Sequence, residues 1–322
     1  MTPTIPPLSP YGTFTGTLFQ YSSFPSLTAF ESSPSLPNKC VLIGGLSDSL
    51  IPVSYTSNLQ EICNDLGWSL VQPMISSSSL GFGHGSLKRD TEEITTLMNY
   101  LSGHHHAQKF VFVGHSTGCQ NAIHLTKYGD SDIIQKIKGI VLQAPVSDRE
   151  DASLNNANYE SNIKHAKTLQ DQGKEDEMMP RSTFWAPITA YRFLSLQEHG
   201  GDDDFFSSDY TDEELSLRLQ HVRQCGKFFG LRALVAFSKE DEYVPDHIDK
   251  DLLLQRLCQA MNSENKAVEG DDSAETITVA VAKPLMLENS NHNLSNDDDD
   301  VETFISEVAE MLKEINEDNN LN

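Results

Sequence analysis

The run Phe110-Val111-Phe112-Val113, followed directly by Gly114-His115-Ser116-Thr117-Gly118, constrains this chain more than any other segment. Four consecutive apolar residues, β-branched or aromatic, fit a strand buried on both faces. A helix-compatible stretch, Cys119 to Tyr128, follows with no room for a loop. A strand that passes into a helix through G-x-S-x-G must set its serine on a sharp, strained turn. Side chains at the flanking positions would clash there, so those positions require glycine, and the hydroxyl is left pointing into a cleft.

The surrounding pattern supplies the rest of such a fold. Cys40 to Ile43 reads as a strand ending in Gly44-Gly45, a helix over Tyr55 to Leu66 stops at Gly67, and Trp68 to Pro73 is the next strand. Ser86 to Leu101 carries Ile94, Leu97, Met98 and Leu101 on one helical face. After the serine turn come a strand at Ile137 to Gln143, another at Leu231 to Phe237, a helix at Ile248 to Met261 and a last strand within Thr276 to Leu287. Val301 to Ile315 closes the chain as a helix whose buried face holds Ile305, Val308, Met311 and Leu312. Strand-sized runs alternating with amphipathic helices predict an α/β-hydrolase fold, a mostly parallel central sheet with helices on both faces.

The alternation breaks once. Arg149 to Gly230 is polar, with helical patterns at Ser161 to Gln172 and Asp212 to Cys225 and no clear strand. We therefore expect a single domain over residues 1–322 with a helical lid, residues 149–230, inserted between two strands and lying over their carboxyl ends. Asn262 to Ser273 reads as a mobile acidic loop, and the tail from Asn316 as frayed.

A serine hydroxyl barely ionises at neutral pH, so Ser116 requires a base that is itself oriented by an acid, and in this fold the chain order is serine, acid, histidine. Asp241 follows the Ala233 to Phe237 strand within Asp241-Glu242-Tyr243-Val244-Pro245; Glu240 and Glu242 compete for the same role. His292 lies in a polar loop after the last strand, where the base must be, although a single loop histidine is ordinarily just that. The oxyanion of a tetrahedral intermediate requires preorganised donors. Thr117 N–H, directly after the serine, is one; Leu46 N–H, with Gly45 adjacent, is the second, unless Gly44-Gly45 is merely a tight turn.

Other features narrow the classes. Forty-seven Asp and Glu against 23 Lys and Arg give a net charge of −24, which repels nucleic acid and anionic membranes. No apolar run approaches the roughly 20 residues of a membrane helix, and Met1 to Tyr11 lacks the basic and apolar parts of a secretory signal. Five widely spaced cysteines without C-x-x-C suggest neither disulfides nor zinc, and fit a cytoplasmic protein; Cys119 reads as a buried thiol. His104-His105-His106 and Asp202-Asp203-Asp204 read as solvated surface, and Asp297 to Asp300 as charge at a helix start, so no metal and no cofactor are expected. Gly81-Phe82-Gly83-His84-Gly85 lacks the Lys and Ser/Thr of a phosphate loop and is read as a pocket edge.

The chain also resembles a known family, the fungal α/β-hydrolase-like proteins long grouped under a domain of unknown function, which includes the fusarinine C esterase of siderophore metabolism. The resemblance is carried by Ile43-Gly44-Gly45-Leu46-Ser47-Asp48, Ser76 to Gly83, Gly114 to Gln120, Leu142 to Glu150, Arg192 to Leu196, Asp203 to Asp209 and Asp241 to Pro245. It implies a serine hydrolase with the triad Ser116, Asp241 and His292, a helical lid, and a small-molecule ester as substrate. One departure stands at Ser49, where family members often carry glycine. Arg149 and Arg192, at the start of the lid and within it, are candidate substrate-binding residues for a carboxylate or hydroxamate, set against lid salt bridges to the many nearby acids. Two other functions stay open at this point: a non-catalytic binding or scaffold protein on the same fold, and a general carboxylesterase or lipase, which the acidic lid disfavours.

Overall fold

The computed structural model of the chain describes residues 11–263 and 280–318. Eight strands form one sheet in the order β1-β2-β4-β3-β5-β6-β7-β8. β1 (Thr17–Ser23) and β2 (Ser26–Glu31) make an antiparallel hairpin, and β2 joins β4 (Trp68–Met74) antiparallel. β3 (Asn38–Ile43), β4, β5 (Lys109–His115), β6 (Ile137–Gln143), β7 (Arg232–Ser238) and β8 (Ala282–Leu287) run parallel, so their carboxyl ends share one edge. That edge is where a parallel sheet assembles a site.

Helices cover both faces. α1 (Thr56–Asp65) and α11 (Asp298–Glu317) lie on one, with α2 (Leu87–His104), α3 (Thr117–Tyr128), the short α4 (Ser131–Ile134) and α10 (Lys250–Asn262) opposite. The period-two alternation of a strand sorts β5 between them: Phe110 and Phe112 pack with Ile94, Leu97 and Ile123, whereas Val111 and Val113 pack with Leu59, Phe304 and Val308. Burying each such side chain is worth about 1.5–3 kcal/mol, so the central strands are the least deformable part of the molecule. α11 begins as its acidic run suggests: Asp297 caps it by accepting the Asp300 amide, and Asp298 to Asp300 occupy the positive first turn.

Between β6 and β7 the chain makes five helices: α5 (Asp148–Asn155), α6 (Tyr159–Asp171), α7 (Ala190–Gln197), α8 (Asp212–Leu219) and α9 (His221–Phe229). α6 and α7 build a small core of their own around Ala166, Leu169, Ile188, Phe193 and Leu194. α8 and α9 do not join it; Leu215, Leu219 and Val222 pack into the main core beside α3 and α10. The single helix expected over Asp212 to Cys225 is thus two, meeting at Gln220. α7 escapes sequence reading because it is only eight residues long and buries polar Arg192, Ser195 and Gln197 along with its apolar residues, so no exposed polar face marks it.

Two surface assignments are corrected. His104 ends α2, and His105 turns inward, its Nδ1 2.5 Å from Glu31 Oε2. Glu31 and Lys39 are fully buried and paired at 2.6 Å, tying the hairpin to the sheet. Asp203 and Asp204 are buried as ion-pair partners, while Asp202 accepts from Tyr191 Oη at 2.6 Å. Residues 1–10, most of the acidic loop (264–273) and the start of the expected last strand (276–279) lie outside the described residues.

Removing one member of a buried pair costs about 3–5 kcal/mol, and with Lys39 gone the buried Glu31 carboxylate keeps only the His105 contact among the described residues. Lys39→Met should accordingly lower Tm steeply, and adding Glu31→Gln to it should restore much of the loss. Thermal denaturation of the single and double variants measures both.

Candidate active site

Ser116 stands between β5 and α3 with φ 54° and ψ −124°, a left-handed conformation that costs a non-glycine residue on the order of 1–3 kcal/mol. Its neighbours explain the glycines. A Cβ on Gly114 would lie 2.4 Å from the Gly118 carbonyl oxygen, and one on Gly118 would lie 2.2 Å from the Ile43 carbonyl oxygen. The turn is held by the Ser116 amide, which donates to the Gln143 carbonyl at 3.0 Å. Ser116 is partly exposed while Gly114, His115, Thr117 and Gly118 around it are buried. Cys119 is a buried thiol, its Sγ donating to the Gly114 and Gln143 carbonyls, and burial pushes its pKa well up.

The loop after β3 approaches this serine closely: a Cβ on Gly45 would lie 2.8 Å from Ser116 Cβ. Of the three oxyanion candidates the Gly45 amide is already engaged, donating to Asp48 Oδ2 at 2.8 Å. Leu46 N–H and Thr117 N–H donate no hydrogen bond among the described residues. Thr117 also opens α3, so its amide sits at the positive end of a helix.

Asp241 and His292 come from the loops after β7 and β8, adjacent strands at the sheet edge. His292 Nδ1 is 2.8 Å from Asp241 Oδ2, and both side chains are buried. Asp241 Oδ1 accepts the Tyr243 amide at 3.0 Å, and the Tyr243 ring packs edge-on against the imidazole at 4.6 Å. Glu242 meets His292 differently, accepting its main-chain N–H at 2.9 Å, and the Glu240 amide donates to Ser290 O at 3.2 Å. Among the described residues Ser116 Oγ makes no hydrogen bond to His292. Nucleophile–base contacts in unliganded sites are often long and close with substrate.

Arg149 is consumed by ion pairs, Nε with Asp204 at 3.0 Å and Nη2 with Asp209 at 2.5 Å. Arg192 pairs through Nη1 with Asp203 at 2.5 Å, but its buried Nε has no partner among the described residues. Arg192 also lines a cleft with Leu46, Thr117, Phe82, Asp90 and Asn121, beside the serine turn. The Gly81 to Gly85 segment forms a 3-10 helix (Ser79–His84) at the rim of this cleft.

Sequence reading passed over Gln143, Asp90 and Asn121. Asn121 Nδ2 donates to Asp90 Oδ2 at 3.1 Å across the cleft floor. The available signal for Gln143 was an amide closing the apolar run Ile140 to Leu142, a placement that a buried polar group keeps only when hydrogen-bonded. Among the described residues no group of three His, Cys, Asp or Glu is arranged to hold a metal ion, and no helix is long and apolar enough to cross a membrane.

A strained serine at a strand–helix junction, with an aspartate–histidine pair at the ends of two later strands of a mostly parallel sheet, defines an α/β-hydrolase. The chain belongs to the family described as "Protein of unknown function (DUF1749)", whose model matches residues 2–312. It is 30% identical to the fusarinine C esterase sidJ of Aspergillus fumigatus, over 89% of this chain and 92% of that protein. It is 33% identical to the UPF0613 protein PB24D3.06c of Schizosaccharomyces pombe, over 71% of this chain and 77% of that one. Among solved structures it is similar to the siderophore hydrolase EstB from Aspergillus fumigatus, with a TM-score of 0.74 and 26% identity, covering 95% of this chain and 98% of that one.

One carboxyl near the site should govern stability with pH. Burial, reinforced by the Asp203 carboxylate and opposed by Arg192 and His292, pushes Asp148 from the usual 3.8 up to about 7. Its Oδ2 is shielded from solvent and unpartnered among the described residues. A carboxyl raised this way keeps its proton in the native state after the unfolded chain has lost it, so native stability declines as pH rises from 3.8 to about 7. Asp148→Asn should therefore raise Tm at pH 8 and leave it near wild type at pH 4; an equal shift at both pH values would contradict this.

Proposed function

We propose that the chain is a serine esterase acting through an acyl-enzyme, with Ser116 as nucleophile, His292 as general base and acid, and Asp241 as the group that orients the imidazole. The observation that carries this reading is the 2.8 Å contact between His292 Nδ1 and Asp241 Oδ2 at the same sheet edge as the strained Ser116 turn. A proton on Nδ1, donated to Asp241, leaves Nε2 with its lone pair as the base. Ser116 Oγ adds to the ester carbonyl as Nε2 takes its proton. The oxyanion then forms opposite Leu46 N–H and Thr117 N–H, the donors that are not engaged among the described residues. Collapse expels the alcohol with the proton returned from Nε2, and water repeats the sequence to release the acid.

Within residues 149–230 the α6–α7 part acts in this reading as a lid on a single domain, its core packing against Leu46 of the oxyanion loop, while α8 and α9 belong to the main core. Arg192 is the lid's contact with substrate: its spare Nε–H, held in the cleft, donates to a carbonyl or carboxylate oxygen. The names of two relatives, a fusarinine C esterase and a siderophore hydrolase, favour a siderophore ester as substrate. Five buried free thiols fit a reducing compartment such as the cytoplasm.

Ser116→Ala should reduce hydrolysis of an activated ester at least about 10³-fold without lowering Tm; turnover at the wild-type rate would refute the assignment. Arg192→Lys keeps a cation for Asp203 and removes the Nε donor. It should raise KM for a siderophore ester about 10-fold with little change in kcat, and an unchanged KM would remove Arg192 from the binding site.

A further inference from the structure

The end of β6 connects the two halves of the site. Gln143 is fully buried on a strand flanked by β5 and β7. Its main-chain oxygen accepts the Ser116 amide at 3.0 Å, and its side-chain Nε2 donates to the carbonyl of His292 at 2.9 Å. Oε1 lies 3.2 Å from Tyr55 Oη, which donates to it, and 2.6 Å from His115 Nδ1.

The direction of every bond in this group is fixed by elimination. A carbonyl only accepts, so the nitrogen of the Gln143 amide must face His292. Oε1 then faces Tyr55 and His115, and His115 must carry its proton on Nδ1 to complete the contact. Burial drives the His115 pKa down to about 3, so the ring is neutral and holds that tautomer throughout the working range. The His115 ring in turn packs 4.9 Å from that of His292. On the other side of His292, its own N–H is taken by Glu242 Oε2 at 2.9 Å.

We propose that Gln143 is a positioning residue that couples nucleophile to base, fixing Ser116 through its carbonyl and His292 through its side-chain amide, with Glu242 as the second hold on the His292 main chain. The reason is mechanical. His292 lies in a loop beyond β8, the edge strand, and Asp241 lies in a loop as well. Neither loop alone sets the imidazole against Ser116, and no hydrogen bond from Ser116 Oγ does so in this structure. A buried central strand end is the rigid element that holds both, and a displacement of about 1 Å at a reacting centre costs about 100-fold.

This inference rests on the assignment of His292 as base, so the test carries His292→Ala alongside. Gln143→Met removes the side-chain hydrogen bonds at similar length. Gln143→Glu keeps the acceptor used by Tyr55 and His115 and, when ionised, replaces the donor to His292 with a buried carboxylate oxygen that cannot donate. In both, kcat per folded enzyme on an activated ester should fall about 10- to 100-fold with KM within about threefold, while His292→Ala is inactive. A purely structural role would lower Tm and leave kcat of the folded enzyme unchanged. Folded Gln143 variants with kcat within about twofold of wild type, or with the loss confined to KM, would overturn the proposal. If neither variant folds, exposed Glu242 decides: Glu242→Ala should lower kcat about fivefold, and a value within about twofold of wild type would overturn it. Full activity in His292→Ala would overturn both this inference and the reading beneath it.

Discussion

The left-handed turn at Ser116 is the constraint on which the rest of this structure depends. A serine at φ 54° is held there by packing that leaves no room for another side chain: Gly114 against Gly118, Gly118 against Ile43, and Gly45 against Ser116 itself. β3 and β5 must be neighbours for these contacts to exist, and β6 must lie on the other side to accept the Ser116 amide. Strand order, the glycine loop and the start of α3 therefore follow from one strained residue. The same packing leaves the Leu46 and Thr117 amides without partners among the described residues and Ser116 partly exposed. Strain of this kind persists only where surrounding structure enforces it, and here the enforcing groups are main chain and glycine.

Charge organises the inserted segment. In a chain of net charge −24, two of its cations are buried between β6 and β7, Arg149 bonded to Asp204 and Asp209, Arg192 to Asp203. The acids come from one run, Asp203 to Asp209, so a stretch that looks like surface is what fastens α5 and α7 together. Tyr210 and Ser207 also bond Asp204, which satisfies the oxygens of a carboxylate that burial would otherwise penalise. Arg192 differs from Arg149 in keeping one donor spare beside the cleft.

Much of this was legible in the sequence, for physical reasons that differ between regions. β5, β6 and β7 are apolar runs because both faces are buried, and α2 and α11 show their buried stripes. Glycine at 45, 114 and 118 is legible because contact excludes every other side chain. The hairpin of β1 and β2 was missed: β1 is the edge strand and exposes much of its surface, and β2 buries a charged Glu31 where an apolar residue would mark a strand. His105 was misjudged because its partner, Glu31, is 74 residues away in sequence. Gln143 has the same character, since its bonds to Tyr55 and His292 span 88 and 149 residues. Nearest-neighbour chemistry finds the serine turn; only the folded chain shows what holds His292.

Ser116, Asp241 and His292 arrive at one sheet edge from three separate strand ends, and Gln143 joins the first of them to the last. The most direct measurement of their cooperation is peptide mapping by mass spectrometry after reaction with a fluorophosphonate. The expected adduct lies on the peptide containing Ser116 in the native protein, and is lost on unfolding and in His292→Ala. An adduct elsewhere, or none on folded protein, would contradict the assignment of Ser116 as the nucleophile.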